Sequence, residues 1–236
     1  MMRVRYLLLG LLLSVAAVAS AQFMPPGFKM PSMRYNPALL MNPDVQKDMN
    51  ISPSVSQKVT EVMMQEGMKM LPTVMGAMSG KKQTPDEEKK MMTVISAAYD
   101  SMQSKTIVLL SPPQRKRLHE ITLQSTGASA LLDPSIASEV GLTATQSSRL
   151  ASAISRINRQ NSGGSENPFQ GGGTNPAALK NFAGKAASMA KKTKAETEAA
   201  ASAILTPTQK IKWIRLQGRH IDLKGVAGMG GMFGGM

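Results

Sequence analysis

The chain contains no cysteine among its 236 residues. Disulfides, thiolate nucleophiles and metal centres with cysteine ligands are therefore excluded, and the fold must rest on packing and hydrogen bonds. Aromatic residues are also scarce, at 4% of the chain, and cannot fill a broad core. Methionine is abundant instead, with 20 residues. Few rings and many flexible thioethers favour narrow helical packing or an adaptable apolar surface.

Acidic residues are the next shortage. The chain has 15 Asp and Glu against 28 Lys and Arg, which gives a formal net charge of +13. This excess favours anionic partners. The two histidines, His119 and His220, are predicted to be solvated surface residues, and no motif supplies a nucleophile with a general base;. We therefore predict a protein that is not an enzyme and that needs no cofactor.

The N-terminus has the pattern of a secretory signal over residues 1–21. Arg3 and Arg5 precede an apolar run from Leu7 to Val18, and the sequence Ala19-Ser20-Ala21 is typical of a cleavage site;. No later stretch is apolar enough to span a bilayer, so we predict no stable membrane span after cleavage. The predicted location is the periplasm or the exterior of a bacterium. Export and the lack of stacking aromatics near the basic clusters argue against nucleic acid as a partner.

Hydrophobic spacing predicts an all-α fold of antiparallel helical hairpins in two tandem repeats. Leu40-Met41-Asn42-Pro43 is mirrored by Leu131-Leu132-Asp133-Pro134, and the apolar residue before the next helix follows each proline at the same distance. Both ends of the mature chain are predicted to be disordered. The predicted boundaries are 22–37 for a Pro/Met-rich flexible arm, 38–127 for the first repeat, 128–218 for the second repeat with a Gly/Ser/Asn loop at 161–175, and 219–236 for a Gly/Met-rich tail.

Local signals predict where individual helices begin and end. Thr84 and Glu87 have the spacing of a capping box, in which each side chain binds the backbone N–H of the other residue;. A helix that starts at Ser54 is expected to be interrupted or ended by Gly67 and Pro72.

A five-residue pattern, Leu-Ser/Thr-x-x-Gln, occurs three times and predicts three further helix starts. The Ser or Thr caps the first turn, and the Gln reaches back to the N–H of the cap residue. A fourth copy, Ile51 to Val55, has valine where the glutamine belongs, so its box is incomplete. The predicted capping residues are Ser111 with Gln114, Thr143 with Gln146, and Thr206 with Gln209.

These copies resemble the LTxxQ motif of the Spy/CpxP family of bacterial periplasmic proteins, and the resemblance covers about half of the chain. It implies an all-helical hairpin unit that dimerises into a curved cradle. The implied function is that of an ATP-independent chaperone or an envelope-stress accessory protein whose partners are unfolded or partly folded envelope proteins. Two such units in one chain imply a homodimer or an internal pseudo-dimer.

Basic residues follow two of the motif copies and are the predicted client-binding residues. Charge captures anionic partners quickly, while apolar patches hold exposed apolar segments reversibly. An ordinary solvated helix face explains the same pattern equally well. The residues are Arg115, Lys116 and Arg117 after the first copy, and Lys210, Lys212 and Arg215 after the third.

Two alternative functions stay open. Methionines crowd the segment from Met63 to Met78 and recur from Met229 to Met236, and thioethers are soft ligands that suit Cu(I);. A periplasmic metal-binding or metal-sensing protein is therefore one alternative, although adaptable packing is the favoured explanation of the methionines. The other alternative is a structural envelope protein without clients.

Overall fold

The computed structural model describes residues 34–78, 84–162 and 176–223. This part of the chain contains only helices and their connections, which confirms the predicted all-α class. None of the described helices combines the length and apolarity needed to cross a membrane. The predicted signal sequence, residues 22–33 of the predicted flexible arm, residues 224–236 of the predicted Gly/Met-rich tail and most of the predicted 161–175 loop lie outside the described residues. The chain forms two compact units, with the boundary between Thr122 and Leu123.

Unit 1 begins with a short 3-10 helix and a short α-helix, followed by two long helices and a third that starts in this unit. The elements are η1 Pro37–Met41, α1 Pro43–Asp48, α2 Pro53–Met78, α3 Pro85–Ile107 and α4 Pro112–Thr126.

Unit 2 repeats this order of elements. They are η2 Gly127–Leu132, α5 Pro134–Val140, α6 Ala144–Ser162, α7 Pro176–Ile204 and α8 Pro207–Gln217. Seven of the eight described α-helices begin at a proline. Proline fits the first helical position because its missing N–H would find no partner there.

The short helices α1 and α5 are each started by an Asx residue. The Oδ1 of Asn42 accepts from the N–H of Asp44 at 2.7 Å. The Oδ1 of Asp133 accepts from the N–H of Ser135 at 2.8 Å. Helix α5 ends at Gly141, whose φ of 82° is left-handed and favours glycine;. The capping box predicted at Thr84 and Glu87 is also formed.

Helix α2 is continuous through Gly67 and Pro72, so the predicted interruption is wrong. Proline inside a helix removes one backbone hydrogen bond and costs roughly 3 kcal/mol. Packing outweighs that local cost, because α2 lies along α3 and buries Val59, Met63 and Met70.

Each unit has its own apolar core. The core of unit 2 gathers side chains from all five of its elements together with Leu123, and Trp213 of α8 is buried in it. The core of unit 1 is made of aliphatic residues and methionines from all of its elements. Its buried apolar residues include Leu39, Leu40, Val45, Met49, Val59, Met63, Met70, Ala98, Met102, Leu110, Leu118 and Ile121.

The segment Arg34–Asn36 is hydrogen-bonded to α3 and α4. Asn36 is buried, so residues 34–37 are docked on unit 1, whereas the flexible arm was predicted to extend to residue 37. The bonds run from His119 Nδ1 to Arg34 O at 2.8 Å, from Gln103 Nε2 to Tyr35 O at 2.7 Å, and from Asn36 N to Thr122 Oγ1 at 2.9 Å.

Candidate functional site

In unit 2 the two motif glutamines bind each other. Gln146 Nε2 donates to Gln209 Oε1 at 2.8 Å, and Gln209 Nε2 donates to Gln146 Oε1 at 3.0 Å. Each Oε1 also accepts from the N–H of its own cap residue, at 3.0 Å for Thr143 and 2.9 Å for Thr206. Both predicted capping boxes are therefore complete, since each threonine hydroxyl in turn accepts from the glutamine N–H.

Each glutamine also reaches the backbone that leads into the other motif. Gln146 Nε2 donates to Ile204 O at 3.0 Å, and Gln209 Nε2 donates to Gly141 O at 2.6 Å. Each of these carbonyls lies two residues before the cap threonine of the partner motif. The glutamine pair thus ties the starts of α6 and α8 together, with the same register in both directions. Gln209 is buried, so its amide depends on these partners;.

Unit 1 contains half of the same arrangement. Gln114 Oε1 accepts from Ser111 N at 3.0 Å, while its Nε2 donates to the carbonyls of Met49 at 3.3 Å and Asn50 at 3.2 Å. Asn50 lies two residues before Ser52, which repeats the register of unit 2. The Ser52 hydroxyl accepts from Val55 N at 3.3 Å, but valine has no amide to complete the pair.

Restoring the missing amide is expected to stabilise unit 1. Val55→Gln should raise the free energy of unfolding by about 1 kcal/mol, because the new Oε1 accepts from Ser52 N–H and the new Nε2 meets Gln114. Urea unfolding followed by circular dichroism measures the change. Val55→Asn is the matched control, since its shorter side chain cannot span both partners. A Val55→Gln protein no more stable than Val55→Asn contradicts this interpretation.

The leucines that open the motifs pack into the cores rather than against the first turn of their helices. Leu110 and Leu205 are buried, and Leu142 packs against the core cluster of unit 2. All six predicted capping residues stand at helix starts, and the three glutamines also bind backbone carbonyls of the segment that leads into another helix. Their arrangement is chemically suited to fixing the ends of helices.

The basic residues of α4 are mostly engaged within unit 1. Arg115 Nε donates to Leu110 O at 2.9 Å. Arg117 forms ion pairs with Asp48 at 2.6 Å and with Glu120 at 2.9 Å, and its side chain is 12% exposed. Burial opposes the charge of Arg117, but these carboxylates outweigh it and raise the pKa of the guanidinium;. Of the three predicted residues, Lys116 alone is exposed, whereas Arg115 and Arg117 are half-buried.

Helix α8 presents a surface of different character. Ile211 and Ile214 are 59% and 67% exposed, while Trp213 on the opposite side is buried. Lys212 and Arg215 are exposed and Lys210 is half-buried. We call Lys210, Ile211, Lys212, Ile214 and Arg215 the α8 surface. At 100° per residue, the two isoleucines lie near the centre of the outward side, with basic residues on both flanks.

Nothing on α8 neutralises this charge, because the helix contains no acidic residue. A Cβ added to Gly141 would stand 3.5 Å from Lys212 Nζ, so this amine lies beside the C-terminus of α5. Helix C-termini carry partial negative charge and favour a cation. Lys212 therefore already has a favourable partner within unit 2, the C-terminus of α5. Lys210 and Arg215 are the better candidates for binding a partner protein.

The described methionines of α2 do not converge on one point. Met63 and Met70 are buried, and Met64 and Met68 are exposed on another side of the helix. The described residues also contain no group of three or more His, Asp or Glu that could hold a metal ion. Met75 and Met78 have no described side chains, and Met229 to Met236 lie outside the described residues.

His119 was predicted to be a solvated surface residue, but it is half-buried, so the prediction is wrong. Its Nδ1 is 2.8 Å from Arg34 O, and because a carbonyl only accepts, Nδ1 carries the proton;. The ring also meets Tyr35 edge-on, with centroids 5.8 Å apart. His220 is exposed, as predicted.

A buried acidic residue on α2, Glu66, was not predicted from the sequence. The side chain of Glu66 is 1% exposed and binds Lys69 and Lys105, each at 2.7 Å. The ion pair with Lys69 could be predicted from the sequence, because the two residues are three positions apart. The ion pair with Lys105 could not, because it forms only when α2 packs against α3.

Comparison with family models, with curated proteins and with solved structures finds no match to this chain.

Proposed function

We propose that this chain is an exported, non-enzymatic helical protein that binds unfolded or partly folded envelope proteins without ATP, as the Spy/CpxP resemblance implies. The α8 surface is the observation that carries the proposal. This surface combines two exposed isoleucines with flanking basic residues. Trp213, on the opposite side of the same helix, is buried and holds the helix against the core of unit 2. Because the isoleucines are already exposed in the folded chain, no conformational change is needed to present this surface.

The two parts of the α8 surface have different roles in the proposed mechanism. The cations raise the rate of encounter with acidic clients through long-range attraction. The isoleucines then cover exposed apolar segments, each contributing roughly 1 to 2 kcal/mol. A total of this size gives weak and reversible binding, which suits a protein that must release its client.

An aggregation assay tests the proposal directly. The client is an acidic protein that aggregates when its disulfides are reduced, because a chain without cysteine is itself unchanged by the reductant;. Equimolar protein is expected to slow the rise of light scattering, more strongly at low salt than at high salt. Aggregation that proceeds unchanged at equimolar protein refutes the chaperone proposal and favours a structural envelope protein without clients.

Variants separate the two parts of the surface. Ile211→Ser with Ile214→Ser should require at least a roughly thirtyfold higher concentration for equal protection, because the apolar contact of both side chains is lost. Lys210→Gln with Arg215→Gln should instead reduce the dependence on salt. The same scattering assay measures both effects.

The matched control is Val94→Ser with Val108→Ser, which removes two exposed apolar residues, 38% and 72% exposed, from unit 1. It should protect the client as the parent does. Equal losses in this control and in the isoleucine variant would show that general surface apolarity, rather than the α8 surface, binds the client.

A further inference from the structure

Helix α2 divides its methionines between two environments. Met63 and Met70 are 4% and 7% exposed, whereas Met64 and Met68 are 45% and 63% exposed. Among the methionines whose side chains the structure describes, these two are the only exposed ones. They are four residues apart, so they are neighbours on one side of the helix.

Exposure decides how a thioether meets an oxidant. With hydrogen peroxide, a lone pair of the sulfur attacks one peroxide oxygen and the O–O bond breaks. The oxygen now bound to sulfur still carries a proton, which the departing hydroxide takes up to leave as water. The sulfur thereby loses two electrons, and the peroxide gains them. The product is a sulfoxide, which is polar and accepts hydrogen bonds. The oxidant must reach the sulfur, which packing prevents for Met63 and Met70.

The fold tolerates this reaction at one pair and not at the other. A sulfoxide at Met64 or Met68 faces water, so its polarity needs no new partner. A sulfoxide at Met63 or Met70 would be buried on the helix and would disrupt the packing of α2 on α3;.

We propose that Met64 and Met68 form a modification site for hydrogen peroxide, at which unit 1 takes up two oxygen atoms without unfolding. The site consumes oxidant stoichiometrically and converts an apolar patch of α2 into a polar one. It goes beyond the chaperone proposal and is independent of it, since the α8 surface belongs to unit 2.

Peptide mapping by mass spectrometry after graded doses of hydrogen peroxide tests the proposal on the full chain. Met64 and Met68 are expected to be oxidised roughly tenfold faster than Met63 and Met70. The helical circular dichroism signal and the thermal midpoint should be unchanged when the first pair is fully converted. Oxidation of all four at similar rates, or a loss of helix in step with the first pair, overturns the proposal.

Met64→Leu with Met68→Leu is the matched variant, because leucine keeps an apolar side chain of similar size but cannot be oxidised. Its oxidant uptake should fall by two equivalents per chain while Met63 and Met70 stay protected. An uptake equal to that of the parent would also overturn the proposal. The aggregation assay on the same variant reads the α8 surface separately, so failure of one proposal is distinguishable from failure of the other.

Discussion

Replacing Gln209 with alanine is expected to lower the free energy of unfolding of unit 2 by about 3 kcal/mol. The variant loses the contacts of a buried amide with Thr206 N, Gly141 O and the side chain of Gln146. A hydrogen bond of this kind contributes roughly 0.5 to 1.5 kcal/mol, and the variant loses several of them at once. Urea unfolding followed by the emission of Trp213, the one tryptophan of the chain, reports on this unit.

Two further variants sharpen this test. Thr208→Ala stands on the same first turn at an exposed position and should change stability by less than about 0.5 kcal/mol;. Gln146→Ala combined with Gln209→Ala should cost less than the sum of the single changes, because both remove the same pair of hydrogen bonds. Additive effects of the two alanine substitutions would show that the glutamines act independently.

Acid is expected to weaken unit 1 through Glu66. Hydrogen bonds from Lys105 and then from Lys69 lower the pKa of Glu66 from 4.5 to about 2, against the opposing effect of burial. A carboxyl with a lowered folded-state pKa contributes stability above its unfolded pKa and loses it as pH falls. The stabilisation is therefore present above about pH 5 and lost progressively towards pH 2.

The expected size of this effect is about 2 kcal/mol. The full shift corresponds to roughly 3 kcal/mol, but both lysines are about half exposed, so solvent and salt reduce the gain;. Glu66→Gln should lose this stability at pH 7 and should lack the acid-dependent decline between pH 5 and pH 2. Urea unfolding monitored by circular dichroism at each pH measures the stability of unit 1. The transition of unit 1 is the one during which the emission of Trp213, in unit 2, does not change.

Glu61→Gln is the matched control, because Glu61 is exposed on the same helix. It should unfold like the parent at every pH. A parent protein whose unit 1 is equally stable at pH 6 and pH 2.5 would contradict the role assigned to Glu66.

Features with local causes could be predicted from the sequence. The all-α class, the capping box at Thr84 and the helix starts at Thr143 and Thr206 depend on residues within one turn of each other. The mutual binding of Gln146 and Gln209 was not predictable, because the partners are 63 residues apart. Pro72 shows the opposite case, in which a correct local rule is overridden by packing between helices.

The candidate site also has features that could be predicted from the sequence and features that could not. Basic residues near the motifs were readable, but Arg117 and Lys116 look alike in sequence, and only the positions of Asp48 and Glu120 separate them. The apolar residues Ile211, Trp213 and Ile214 also look alike. Trp213 is buried and the isoleucines are exposed because the core of unit 2 lies on one side of α8, which the sequence of α8 alone does not specify.

The docked segment Arg34–Asn36 has a consequence for the order in which the protein is made. Its hydrogen bonds to α3 and α4 join residues that are 64 to 86 positions apart. A ribosome releases the N-terminus first, so unit 1 cannot close these contacts until Thr122 has been synthesised. Closing a loop of this length before its contacts form costs entropy and slows folding. The beginning of unit 1 must therefore wait for its end, and a nascent chain that stops before α4 leaves this segment without its hydrogen-bond partners on that helix.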